Sequence, residues 1–258
     1  MIRIIKTEEK PFHILRYQSS GPKGNIRKVL LPFFRAYAEG LPKDISSIVA
    51  TSDLQGREIH HRSARLVGEA VAEELVLLQE QKEIPTIDTL LMAGDFYDYP
   101  DCRKLGGTGD VTQVWNAFAS ISQHVIGVHG NHDIVDASQL APNVTVLDGN
   151  TKSIRGIQTG GICGIIGRPD KNQRKTDIDF QSSLNKVIAK KPDILLLHQG
   201  PDDPQNQQVG DSMIREIFEM KGQSLVIFGH CHWRTPRIDI GKNQLLNVDN
   251  RLYVILPG

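Results

Sequence analysis

The sequence predicts an α/β protein, and three observations carry that prediction. Short apolar runs rich in β-branched residues recur along the chain, amphipathic stretches with helical spacing fall between them, and Gly or polar residues bound each run. Ile48–Thr51, Thr89–Ala93, His124–Val128, Ile194–Leu197 and Leu225–Phe228 are too short for buried helices and read as five core strands. They are continuously hydrophobic rather than alternating, as expected of strands covered on both faces.

Four helices are expected. Between Ser63 and Leu78, Leu66, Val67, Ala70, Val71, Leu75 and Leu78 follow helical spacing. Asp110-Val111-Thr112-Gln113 reads as a capping-box start for a helix carrying Val114, Trp115, Phe118 and Ile121. Phe180, Leu184, Val187 and Ile188 form a third stripe; Met213, Ile214, Ile217 and Phe218 form a fourth, closed by Gly222. Ser153–Gly167 and Arg237–Leu256 leave no room for helices and read as added antiparallel strands, with Asp249-Asn250 as a hairpin turn.

The first 45 residues hold an expected strand at Phe12–Tyr17 and an expected helix over Ile26–Ala38, interrupted at Pro32. This segment carries nine Lys/Arg against four Asp/Glu, which suits either a solvated face or a surface meeting an anionic partner. No stretch is rich enough in Pro, Gly or Ser to act as a linker. The expectation is one domain over 1–258, with 1–45 as an N-terminal extension packed on it.

Composition narrows the function classes. The 258 residues carry 30 Lys+Arg and 30 Asp+Glu, so no global basic footprint drives phosphate-backbone binding. No apolar run approaches the ~20 residues of a membrane span, and charges enter the N-terminal residues from Arg3 onward, unlike a secretory signal. Three scattered cysteines, Cys102, Cys163 and Cys231, build no disulfide framework. A cytoplasmic protein with no membrane partner is expected.

The segments at the ends of the five strands are the informative part. They read Ser52-Asp53-Leu54-Gln55, Gly94-Asp95-Phe96-Tyr97-Asp98, Gly130-Asn131-His132-Asp133, His198-Gln199-Gly200-Pro201 and Gly229-His230-Cys231-His232. Ligands of open α/β sheets bind outside the carboxyl ends of the strands, so five distant segments would meet in one crevice. Glycine before three of the clusters suits sharp turns. Oxygen and imidazole donors without a required thiolate suit Mn, Fe, Zn or Ni. Seven candidate ligands in these segments exceed the four of a tetrahedral zinc site, which favours two metals sharing a carboxylate. Such a pair ~3.5–4 Å apart lowers the pKa of a bridging water and clamps an in-line displacement.

In this order, D-x-[H/Q], GDxxD, GNHD, a His after an apolar strand, and GHxH resemble the calcineurin-like metallophosphoesterase superfamily over roughly Ile48 to His232. The resemblance implies a four-layer α/β/β/α sandwich with a binuclear centre between the sheet ends. It implies one metal on Asp53, Gln55, Asp95 and His232, and a second on the bridging Asp95 with Asn131, His198 and His230. It implies that His132 is the catalytic histidine, hydrogen-bonded to and oriented by Asp98. Two divalent ions are expected as cofactors, Mn favoured, with a metal-bridging hydroxide as nucleophile.

Two departures matter. Gln55 stands where the family usually has His, and its neutral carbonyl is a weaker, harder ligand, so the first site should be looser. The Ser/Thr protein phosphatases of this superfamily have GNHE and an Arg after the second GDxxD aspartate, where this chain has Asp133 and Tyr99. A small phosphomonoester or phosphodiester, nucleotide-like, is therefore the favoured substrate. A nuclease of the same superfamily and a non-catalytic scaffold are the alternatives. Other candidates read as structural: His60-His61 as a surface pair, Arg57 as a solvated arginine and Cys231 as a small buried residue.

Overall fold

The computed structural model describes residues 1–60 and 63–258, so the His60-His61 pair lies in part outside the described residues. Its strands form two large sheets. The first runs in the order Val144–Val146, His124–Gly127, Thr89–Met92, Ile48–Ser52, Arg251–Pro257, Ile26–Glu39, His13–Ser20, Arg57–His60 and Ser63–Leu66, and Arg3–Thr7 pairs with the far end of Ile26–Glu39. The second runs Asn150–Ile154, Ile157–Ile162, Ile194–Gln199, Leu225–Gly229, Asn243–Asn247 and Arg237–Ile240. The five expected core strands are parallel within their sheets, three in the first and two in the second.

Helices cover the outer faces: α1 (Val67–Glu80) and α2 (Thr112–Ile121) on the first sheet, α3 (Asp177–Ile188) and α4 (Ser212–Met220) on the second. Period-2 alternation divides the apolar strand residues among three cores. Val49, Leu90 and Val125 face Val71, Leu75 and Trp115 of the first helix pair. Ile48, Ala50, Leu91 and Ile126 meet Ile194, Leu196, Ile227 and Leu246 between the sheets. Leu195, Leu197, Val226 and Phe228 meet Phe180, Leu184, Ile214 and Phe218. Gly160 and Gly161 lie in the strand Ile157–Ile162, and a Cβ on Gly161 would sit 2.7 Å from Leu147 Cβ and 2.8 Å from Val128 Cγ1.

Several expected elements differ. Ile26–Ala38 is a strand of 14 residues, Ile26–Glu39, rather than a helix. Leu31 and Phe33 bury on the side of the first helix pair, Ala36 and Ala38 between the sheets, and the strand has partners on both sides. Pro32 fits because pairing with Arg251–Pro257 begins one residue later, at Phe33, so the missing N–H breaks no bond there. The helix expected from Ser63 begins only at Val67; Ser63–Leu66 instead pairs with Arg57–His60, where Arg65 stands opposite Glu58 and binds it at 2.7 Å. At α2, Asp110 Oδ1 accepts from Thr112 N–H and Oγ1–H at 2.8 and 2.6 Å, a local turn rather than a capping box. Asp249-Asn250 is no hairpin turn. It carries the chain from Asn243–Asn247 in the second sheet to Arg251–Pro257 in the first, while the hairpin of this region joins Arg237–Ile240 to Asn243–Asn247.

The first 45 residues thus supply three strands of the larger sheet. They are tied toward the strand ends by Ser20 N–H and Oγ–H, both donating to Asp98, and by Tyr17 Oη, 2.7 Å from Asn250 Oδ1. Among the described residues no helix is long and apolar enough to cross a membrane.

Gly161→Ala should destabilise the chain by ~1–3 kcal/mol, because the new methyl meets the fixed stem of Leu147 rather than a flexible tip. A urea midpoint equal to wild type would show that the two sheets have more slack than this packing describes.

Candidate metal centre

The carboxyl ends of the parallel strands in both sheets point to one region, and the backbone there is bent to aim side chains. Asp53, Asp95 and His230, each just past its strand, have φ of 55°, 60° and 67°. Asp, Asn and His tolerate this left-handed conformation better than other non-glycine residues, at a cost of ~1–3 kcal/mol each. His198 is re-aimed differently: the pairing of Ile194–Gln199 with Leu225–Gly229 shifts register between Leu197 and Gln199, a bulge at this histidine. The glycines preceding the clusters mainly serve close approach. A Cβ on Gly130 would strike the Asp95 carboxylate, and one on Gly229 would strike Asp53 and Ser52.

Asp95, His198 and His230 converge, with donor atoms all within 4.8 Å of one another. Asp95 is 2% exposed and its Oδ2 lies 3.2 Å from His198 Nε2, 3.4 Å from Gln55 Nε2 and 3.9 Å from His132 Nε2. Its Oδ1 accepts from the His132 N–H at 2.8 Å. His198 Nδ1 meets the Ala93 carbonyl at 2.8 Å, which turns Nε2 toward Asp95. The imidazoles of His198 and His230 lie 5.0 Å apart at 60°. Across the sheets, the His230 N–H donates to Asp53 Oδ2 at 2.9 Å.

Burial and the close approach of carboxylates and imidazoles set the electrostatics. Burial, and then Asp249, push Asp53 well above the usual carboxylate range. Against its burial, the carboxylate of Asp95 pushes His198 up to about 10, and the same pair holds Asp95 low. Burial and the neighbouring His198 push His230 down to about 4, which leaves its nitrogen free to ligate. Asn131 Oδ1 is buried without a hydrogen-bond partner among the described residues. An orphaned buried acceptor in the segment whose next N–H binds a buried carboxylate is what a divalent cation relieves, and these donors fit one.

Gln55 adjoins this cluster, and Asn131, 5% exposed, precedes His132, whose N–H binds Asp95, whereas His232 stands apart from it. Its side chain is half-exposed, with Nδ1 3.4 Å from Asp249 Oδ1 and Nε2 3.1 Å from the Arg251 guanidinium. The expected hydrogen bond from His132 to Asp98 is not formed. Asp98 is taken up by Ser20 N–H and Oγ–H and by Tyr99 N–H, while His132 Nδ1 lies 2.8 Å from the Gly107 carbonyl. Arg57 is not solvated either; its Nε and Nη2 donate to the Asp98 carbonyl.

Two residues escaped sequence reasoning. Asp133, fully buried, accepts from Asp95 N–H, Phe96 N–H and Gly130 N–H at 2.8, 2.8 and 2.9 Å, and burial and Asp95 push it up to about 6. Asp249 faces His232 and raises Asp53; it follows an apolar strand as the other clusters do, but its Asp-Asn pair also fits a turn. A cavity of about 800 Å³ against Ile188, Pro192, Met220 and Lys221 shares no residue with the cluster.

The calcineurin-like phosphoesterase family matches residues 46–234, which include Asp53, Asp95, Asn131, His198, His230 and His232. No curated protein matches. Among solved structures, TT1561 of Thermus thermophilus superposes with a TM-score of 0.53 at 16% identity, covering 80% of this chain and 90% of that one. AQ665 of Aquifex aeolicus, described as a protein of unknown function, gives a TM-score of 0.36 at 16% identity, covering 81% and 95%. The family match spans most of the chain and takes in every strand end that builds the cluster, so the chain belongs to the calcineurin-like phosphoesterases.

Proposed function

We propose that the protein is a metal-dependent phosphoesterase that hydrolyses a small phosphomonoester or phosphodiester, nucleotide-like, at a binuclear centre. The observation that carries this reading is the convergence of Asp95, His198 and His230 from both sheets, beside the unpartnered Asn131 Oδ1. Asp95, Asn131, His198 and His230 would hold one divalent cation. Asp53, with Asp95 shared, would hold the other, more loosely, because Gln55 must turn its amide oxygen in place of the Nε2 that now faces Asp95, and His232 must leave Asp249 and Arg251 to join them. When bound, such cations supply Lewis-acid charge to phosphoryl oxygens and lower the pKa of a water.

The protein's own groups do the rest. Asp133 pins the backbone of Asp95, Phe96 and Gly130, which ties the segment carrying the Asp95 carboxylate to the Asn131-His132 segment. His132 Nδ1 faces a carbonyl, which only accepts, so Nδ1 carries a proton. Nε2, on the Asp95 side of the ring, is then the nitrogen that gains or gives up the exchangeable proton. A protonated Nε2 can deliver that proton to a leaving alkoxide.

Asp95→Asn should lose bound metal, measured by elemental analysis, whereas His132→Ala should keep it and lose rate by ~10²–10⁴-fold, as expected for an acid–base group. Equal metal loss in both would make His132 a ligand. A panel of p-nitrophenyl phosphate, bis-p-nitrophenyl phosphate, cyclic nucleotides and single-stranded DNA in Mn should show turnover of the small esters. Cleavage confined to DNA would favour the nuclease reading, and no turnover with any metal would leave a scaffold. Asp133→Ala should destabilise by about 1–3 kcal/mol for each N–H it leaves unpaired, read from urea unfolding. An unchanged midpoint would remove Asp133 from its pinning role.

A further inference from the structure

His132 needs something to hold its ring, and the aspartate expected to do so is spent elsewhere. Asp98 faces the N-terminal strand through Ser20 and closes onto its own Tyr99 N–H. The group that meets His132 Nδ1 comes from the glycine-rich stretch Gly106–Gly109, and it is a main-chain carbonyl.

That carbonyl is held firmly. Gly107 is buried although Gly106 and Thr108 on either side are exposed. The rings of Tyr97 and Tyr99, 5.7 Å apart at 72°, close over it: a Cβ on Gly107 would collide with Tyr99 and stand 3.0 Å from Tyr97 Cε1. A Cβ on Gly109 would collide with Tyr97 as well, so only glycine lets the chain pass this close to the ring. On its far side the stretch is stitched to the histidine's own segment. Gly109 N–H donates to the His132 carbonyl at 3.2 Å, and Gly109–Asp110 pairs in parallel with Asp133–Ile134. The tyrosines are braced in turn, with the Arg57 guanidinium 5.6 Å from the Tyr97 ring centroid and Lys104 Nζ 5.1 Å from that of Tyr99.

We infer that Gly107, clamped by Tyr97 and Tyr99, is the positioning residue for His132, so the glycine-rich stretch takes over the orienting role expected of Asp98. The inference rests on the phosphoesterase reading for its catalytic meaning, but its geometry stands alone. A carbonyl acceptor fixes the neutral imidazole as the Nδ1–H tautomer, the less populated form in water, and leaves the Nε2 lone pair toward Asp95. Tyr97 and Tyr99 lie on either side of Asp98, so the residues that clamp the loop belong to the segment that also delivers Asp95.

The test is the nitrogen-15 spectrum of the imidazoles in the full-length, metal-free protein, with His132 assigned by its loss in His132→Ala. Wild type should show His132 as Nδ1–H. Tyr97→Phe should keep that state, since the ring is what clamps the loop. Tyr97→Ala should return His132 to the ordinary Nε2–H form and lower kcat on bis-p-nitrophenyl phosphate by about 10²-fold, the scale of an ångström-size misplacement, with KM and metal content unchanged. Asp98→Asn should leave the tautomer as in wild type. A wild-type Nε2–H signal would overturn the inference, and so would a proton that moves in Asp98→Asn and stays in Tyr97→Ala. Should Tyr97→Ala not fold, the wild-type and Asp98→Asn spectra still decide. Absence of turnover by wild type would count against the phosphoesterase reading alone, because the spectrum needs no substrate and no metal.

Discussion

A single buried carboxylate sets the site. Asp133 takes three backbone N–H groups from two loops, those after Thr89–Met92 and His124–Gly127, and so locks the backbone that carries Asp95 to the backbone that carries Asn131 and His132. Burial of an ionised group among donors is tolerable only with such full satisfaction, and here it holds Asp95 in a left-handed turn that the isolated chain would avoid. Because Asp95 is fixed, His198 can reach its Oδ2 from the other sheet, and because the sheets approach closely at Gly229, His230 can hang its N–H on Asp53. The cluster is therefore assembled by the backbone first.

Much of this was legible in the residues. Five apolar runs, each leading into Asp, Asn or His, located the strands to within a residue or two, because continuous hydrophobicity bounded by polar residues is a local signal. The long strand Ile26–Glu39 was not legible. Its apolar residues also fit a helix, and its pairing with the preceding strand His13–Ser20 and with Arg251–Pro257, more than 200 residues further on, decides between them. The same holds for Asp249-Asn250, whose composition spells a turn while the fold uses it to cross between sheets. Asp133 stood in plain view beside His132, yet nothing local reveals that its partners are main-chain amides 37 and 38 residues away.

The contrast between Asp98 and Gly107 has the same origin. A motif reports which residue types are present, and Asp98 has the spacing of an orienting carboxylate. What it binds depends on which element arrives nearby. Here the N-terminal strand His13–Ser20 brings Ser20 to it, and the glycine-rich stretch brings a carbonyl to His132. The basic first 45 residues are thus part of the site's scaffold as well as of its surface. Their strand is fastened at Asp98 and Asn250, and Arg57, on the strand beside it, braces the Asp98 carbonyl.

Anomalous diffraction from crystals soaked in Mn addresses the whole account at once. It should give a peak within coordination distance of the Asp95 carboxylate, Asn131 Oδ1 and the imidazoles of His198 and His230, with a weaker second peak on the Asp53 and Gln55 side of Asp95. Manganese bound only elsewhere, or a cluster left empty at saturating metal, would contradict it.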